Sequence, residues 1–145
     1  LVDVTCHPNL WEADDPVRPE LSAKFKQEIG RKVIGLENQN GTYDAFLCFA
    51  LTSSVPSTTD ELAEYTDPNG SICVPYTVWS NKPGSGRKII NELIVYVRQF
   101  PSVNRIVTLS PQTTMARKFH LRNSAVEYRN NSSSVNFEYM IDRRH

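Results

Sequence analysis

Thr77–Val97, TVWSNKPGSGRKIINELIVYV, sets a strand pattern directly against a helical one, with only a proline- and glycine-rich turn between them. ICVPYTVWS (72–80) reads as a strand. In RKIINELIVYVRQF, residues Ile90, Leu93, Ile94, Val97 and Phe100 fall on one helical face. The turn between them, Asn81-Lys82-Pro83-Gly84-Ser85-Gly86, has a chemical meaning as well. A helix starts with about four N–H groups that lack intrahelical partners, and their dipoles sum to about half a positive charge. Glycines at that point remove the Cβ atoms that hold an anion off, and Lys82, Arg87 and Lys88 add positive charge, so the turn suits a phosphate. The pattern G-x-x-x-x-G-K-[ST] is absent, which argues against a nucleoside triphosphate, and Ile89 stands where a Rossmann fingerprint needs its third glycine.

The rest of the chain supplies strands to surround this unit. Val2–Thr5 reads as a short strand, followed by irregular chain to Pro19. Leu21, Phe25 and Ile29 recur every fourth position, predicting a short amphipathic helix over 20–30 closed by Gly30. KVIGLEN and YDAFLCFAL form two strands around Asn40-Gly41, a strong hairpin signal. A polar loop follows, with a helical turn at Asp60–Tyr65. VNRIVTLS is an apolar strand, and PQTTMARKFHLRN a helix with Met115, Ala116 and Phe119 facing inward. AVEYR and VNFEYMI close the chain as an antiparallel pair around NNSSS. The 145 residues suffice for a core without disulfide or metal staples, so residues 1–145 are expected to form one α/β (α+β) domain.

Lys+Arg and Asp+Glu balance at 16 each, which removes the basic excess needed for non-specific nucleic-acid or membrane-surface binding. No apolar run approaches the roughly 18–20 residues of a membrane span. The opening LVDVTCHPNLWE lacks the order of a secretory signal, so a cytoplasmic location is expected. Cys6, Cys48 and Cys73 form no Cys-x-x-Cys pair and do not combine with His7, His120 or His145 at zinc spacing; they read as buried, reduced thiols with no metal.

The element order, helix–hairpin–strand–glycine turn–helix–strand–helix–hairpin, resembles the GNAT superfamily of acyl-CoA acyltransferases over nearly the whole chain. In that family the pyrophosphate turn reads Gln/Arg-x-x-Gly-x-Gly/Ala; here Gly84 and Gly86 match and Asn81 replaces the first residue. The resemblance implies a mixed, mostly antiparallel sheet of about six to seven strands with helices on both faces. It implies that the backbone N–H groups of Gly84, Ser85, Gly86, Arg87 and Lys88 hold the pyrophosphate of acetyl-CoA or another acyl-CoA. The pantetheine arm then runs along Val78, Trp79 and Ser80, although core packing accounts equally well for a Val-Trp pair. An amine acceptor and a homodimer are implied too. The short chain also suits bacteriophage members of the superfamily, whose setting is the host cytoplasm.

TLSPQTTMARKFHLRNSAV carries a second constellation. The family's Ala-x-x-Leu-Tyr, with Gly-Phe a few residues on, aligns with Ala116, Phe119-His120 and Ser124-Ala125. His120 thus takes the place of the tyrosine that protonates the departing coenzyme A thiolate. Its ordinary pKa of about 6.5 matches neutral pH better than a phenol's value of about 10. Leu109-Ser110-Pro111 and Phe119-His120-Leu121 also resemble malonyl-CoA decarboxylase, which is built on the same fold and uses a serine and a histidine so placed. That enzyme has a long insertion between the two motifs and an added helical domain; here ten positions separate them. Plainer roles exist: Ser110-Pro111 makes a good N-cap and first helical residue, and His120 a packed histidine at a helix edge. For a general base, Asp60, Glu61, Glu64, Asp67, Glu127 and Tyr128 stand unranked. Three functions remain open: an N-acyltransferase, a decarboxylase, and a non-catalytic coenzyme A-binding module.

Overall fold

A computed structural model describes residues 1–12 and 15–141; His145 lies outside them. The eight strands are β1 (Val2–Asp3), β2 (Arg31–Glu37), β3 (Tyr43–Thr52), β4 (Ile72–Ser80), β5 (Arg105–Val107), β6 (Ser110–Pro111), β7 (Val126–Asn130) and β8 (Ser134–Tyr139). The helices are α1 (Ala23–Gln27), α2 (Thr59–Tyr65), α3 (Ser85–Tyr96) and α4 (Thr114–Arg122). All strands join one mixed sheet, in which β1 to β4 pair antiparallel in sequence and β4 pairs parallel with β5. Strand β8 lies antiparallel between β5 and β7. The pairing Ile106↔Tyr139 continues without a register shift into Ser110↔Val135, so β5 and β6 are one line along β8. This continuity is why the apolar run VNRIVTLS reads as a single strand, and why eight strands appear where about six to seven were expected.

The alternation of β3 and β4 feeds two cores. On one face Leu47, Phe49 and Cys73 meet Ile89, Ile90 and Leu93 of α3; each such aliphatic side chain contributes ~1.5–3 kcal/mol by leaving water. On the other face Phe46, Cys48, Val74 and Tyr76 meet Leu62 of α2 and Trp11, with Phe25 of α1 at its margin. The helices cover both faces, as expected, and α3 makes the crossover between the parallel strands.

Three local expectations change. Helix α1 spans only Ala23–Gln27, because Ser22 caps it and Glu28 is already extended. Ile29 is therefore 82% exposed, while Lys26 is buried, held by Asp15 at 2.7 Å. Met115 is also 82% exposed, and α4 buries His120 instead. Cys48 and Cys73 are buried, and burial pushes both thiols well above their ordinary pKa, but Cys6 is exposed.

Candidate functional site

Strands β4 and β5 part company soon after they pair. Ile72↔Arg105 and Cys73↔Ile106 are the paired residues, and one further bond runs from the Leu109 N–H to the Pro75 carbonyl at 3.0 Å. Opposite, β3 shifts register between Cys48↔Thr77 and Phe49↔Pro75, leaving Tyr76 as an extra residue. A bulge bends its strand, and Pro75 has no N–H to give the ladder, so β4 turns away with β3 while β6 stays on β8. A cleft of about 550 Å³ opens between them, a size usual for a small-molecule site.

Gly86, Ala116 and Phe119 line one side of this cleft; Pro16 and Val17 line another; residues 75–80 and Leu109–Pro111 form its lips. Val78, Trp79 and Ser80 are thus in the cleft wall. Trp79 has a packing role too, with its ring 5.3 Å from Phe46, and its buried indole N–H has no partner among the described residues. Asn81 sits just past the strand, its N–H donating to the Asp44 carbonyl.

Gly84 caps α3 in the left-handed conformation at φ 83°, and a Cβ there meets nothing within 4 Å, so the space before the turn is open. The Ser85 N–H already donates to the Lys82 carbonyl at 3.1 Å, and that of Lys88 to the Gly84 carbonyl at 3.2 Å. The expectation that all five consecutive amides face an anion is corrected: Ser85 and Lys88 are engaged in the turn. The amides of Gly84, Gly86 and Arg87 have no partner among the described residues, and Lys82, Arg87 and Lys88 are exposed around them. Gly86 has a second duty. A Cβ on it would lie 2.9 Å from Phe119 Cε1, so the glycine lets α3 and α4 approach where the turn meets the cleft.

Ser110 and His120 are brought to the same cleft. Ser110 is not a helix cap: it pairs with Val135 in β6, and Thr113 caps α4 by accepting from the Ala116 N–H. The buried Ser110 hydroxyl lies 2.8 Å from Thr108 Oγ1, which also accepts from the Phe137 N–H. His120 Nδ1 lies 2.6 Å from the Tyr139 hydroxyl, with the Phe137 ring stacked 5.1 Å away and Phe119 edge-on at 5.1 Å. This aromatic burial lowers the His120 pKa to about 4, so the expected titration near neutrality is replaced by a neutral imidazole. Burial also pushes the Tyr139 phenol well up, keeping its proton. Nε2 then has no partner among the described residues. It is a donor when Tyr139 donates to Nδ1, and an acceptor when Nδ1 donates to Tyr139.

The acidic candidates are elsewhere. Glu61 accepts from the Ser57 N–H and hydroxyl, Glu127 pairs with Arg117, and Tyr128 lies against Arg105. Asp60, Glu64 and Asp67 do not line the cleft either, and among the described residues no carboxylate does. Two contributors escaped the sequence reading. Tyr139 had a signal, since Val135, Phe137 and Tyr139 alternate inward and a buried phenol needs a partner. Pro16 and Val17 had none, lying in a segment without periodicity.

No protein-family model matches the chain, and no curated protein does. Solved structures do. Campylobacter jejuni N-acetyltransferase PseH in complex with acetyl coenzyme A is similar at 16% identity over 82% of this chain and 74% of that one, TM-score 0.56. The loading GNATL domain of CurA from Lyngbya majuscula is similar at 11% identity over 86% and 85%, TM-score 0.65. Malonyl-CoA decarboxylase from Cupriavidus metallidurans is similar at 12% identity and TM-score 0.61; 81% of this chain matches, spanning only 54% of that protein. Identities this low speak for architecture alone, and the architecture of this chain is the GNAT fold.

Proposed function

We propose that this chain is an acyl-CoA-dependent N-acyltransferase that moves an acetyl group, or a related acyl group, directly to an amine. The observation that carries the reading is the continuity from the open Gly84 turn, past Gly86, into the cleft that holds His120. The free amides of Gly84, Gly86 and Arg87, with Lys82, Arg87 and Lys88 around them, fit a pyrophosphate. The lip at Val78–Ser80 fits an extended pantetheine arm, and the thioester supplies an activated acyl group. His120 is neutral and backed by Tyr139, so it can accept a proton on Nε2 from the attacking nitrogen and hand it to the departing sulfur. With no carboxylate lining the cleft, the acceptor is an amine that enters uncharged. The homodimer implied by the resemblance belongs to this proposal, and sedimentation velocity tests it.

A second reading is favoured by one observation: Ser110 and His120 face the same carboxylate-free, largely apolar cleft. Such a site raises the free energy of a malonyl carboxylate relative to the dispersed charge that follows loss of carbon dioxide. Ser110 then orients the carboxylate or thioester carbonyl. Carbon dioxide leaves, the Nε2–H of neutral His120 passes to the enolate carbon as Tyr139 passes its proton to Nδ1, and solvent restores the proton to the phenol. Mass spectrometry of acetyl-CoA and malonyl-CoA with wild type and His120→Ala separates the readings. Free coenzyme A from acetyl-CoA, increased by added amines, supports transfer; acetyl-CoA from malonyl-CoA supports decarboxylation. No turnover with either, even in an amine panel, refutes both and leaves a binding module. Gly84→Glu is expected to abolish coenzyme A binding with the circular dichroism unchanged; retained affinity would refute the pyrophosphate assignment.

A further inference from the structure

The parting of β4 and β5 leaves carbonyls on both lips of the cleft without a strand to receive them, and an arginine from the N-terminal segment takes two of them. Arg18 Nε donates to the Tyr76 carbonyl of β4 at 3.2 Å, and Arg18 Nη2 donates to the Leu109 carbonyl, just before β6, at 3.0 Å. One planar guanidinium thus bridges the strands immediately beyond their last backbone bond, Leu109 N–H to Pro75 carbonyl. Among the described residues its ion pair is distant, with Glu20 at 3.9 Å from Nη1.

Arg18 is itself held at its base. Asp15 Oδ1 accepts from the Val17 and Arg18 N–H groups and from the Thr77 hydroxyl, and Asp15 Oδ2 accepts from Lys26 Nζ at 2.7 Å. This hook ties residues 15–18 to β4 on one side and to α1 on the other, and places Pro16 and Val17 in the cleft wall. Leu109 is the neighbour of Ser110, so the guanidinium holds the backbone from which that hydroxyl projects.

We infer that Arg18 is a positioning residue: it fixes the separation of the two cleft lips, and thereby the place of Ser110 relative to the acyl group. The inference rests on the acyl-CoA reading for its functional part, whereas the clamp itself is mechanical. A fork of two donors is needed to span two carbonyls, which an ammonium cannot reproduce, so Arg18→Lys falls short like Arg18→Ala. Misplacement of a reacting group by about 1 Å costs on the order of 10²-fold in rate.

The test combines amide hydrogen exchange by NMR with turnover of acetyl-CoA and malonyl-CoA, in wild type, Arg18→Ala and Arg18→Lys. In Arg18→Ala, exchange at Thr77, Val78 and Ser110 is expected to rise at least about tenfold with β2 and β3 unchanged. The kcat/KM is expected to fall about 10- to 100-fold, while the Kd for free coenzyme A, set at the glycine turn, stays within about twofold. Ethylguanidinium added to Arg18→Ala restores part of both; Arg18→Lys is not restored. Unchanged exchange at the lips overturns the clamp, and so does a general loss of protection through β2 and β3. Raised exchange with wild-type kcat/KM overturns the positioning role. If wild type turns over neither thioester, the functional reading fails and the positioning role with it, while the exchange result still decides the clamp.

Discussion

His120 is buried in its neutral form between Phe119 and Phe137, and that choice has a cost at mild acidity. Above about pH 6.5 the ring is neutral in both folded and unfolded chains, so it adds no pH dependence. Between that value and its folded pKa of about 4, only the unfolded chain takes up the proton, so stability falls as pH falls. The loss from this residue is on the order of 3 kcal/mol across the window. Urea titrations at pH 7 and pH 4.5 check it: His120→Gln is expected to lose less stability between the two than wild type does. An equal loss would mean that the ring is solvated. In the proposed acyl transfer the Tyr139 hydroxyl behind Nδ1 bears on rate, since removing it frees the tautomer. Tyr139→Phe is therefore expected to lower kcat about tenfold or more with KM for the thioester little changed.

At the scale of elements, the end of α4 carries a visible compromise. Ser124 follows the Asn123 cap with φ 75°, a left-handed conformation that costs a serine about 1 kcal/mol and a glycine almost nothing. Ser124→Gly is expected to raise stability by ~0.5–1 kcal/mol, read as a higher urea midpoint at constant slope. The position aligns with a glycine in the family pattern, so the sequence marked the end of α4 even though its residue departs. Elements with strong periodicity or a turn signal were legible in the same way: β4 and α3 around the glycine turn, and the hairpin at Gly41 with φ 79°. What stayed hidden was decided by long-range contacts. Lys26 is buried because Asp15 pairs with it from outside the helix, and α1 ends at Gln27, which leaves Ile29 exposed. Ser110 pairs with Val135 across the sheet, and no local signal distinguishes that from a helix cap. The cleft residues Ser110 and His120 were found by their motifs; Arg18, Pro16 and Val17 reach the site only through the tertiary fold.

Across the whole molecule, the Asp15–Lys26 pair ties the N-terminal segment to α1, with side chains 2% and 3% exposed. Burial alone raises the Asp15 pKa, but the hydrogen bonds from Lys26, Arg18 and Val17 outweigh it and hold the carboxyl below its ordinary range. Its stabilisation is therefore full above about pH 4 and is lost as pH falls further, a window beneath that of His120. Lys26→Met strands a buried carboxylate and is expected to cost ~3–5 kcal/mol, most of it recovered in the double variant with Asp15→Asn. Chemical denaturation of the three proteins measures this; a single variant as stable as wild type would show the pair to be dispensable.

The clamp also has a meaning in time. Arg18 meets Tyr76 at a separation of 58 residues and Leu109 at 91, so its two partners leave the ribosome far apart. Strands β1 to β4 and the glycine turn are all translated before Leu109 exists, and contacts so distant in sequence close late. A nascent chain can thus complete its glycine turn while the mouth of its cleft is still unfinished. The residues from Leu109 onward, Ser110 and His120 among them, add the second lip only after that turn has been made.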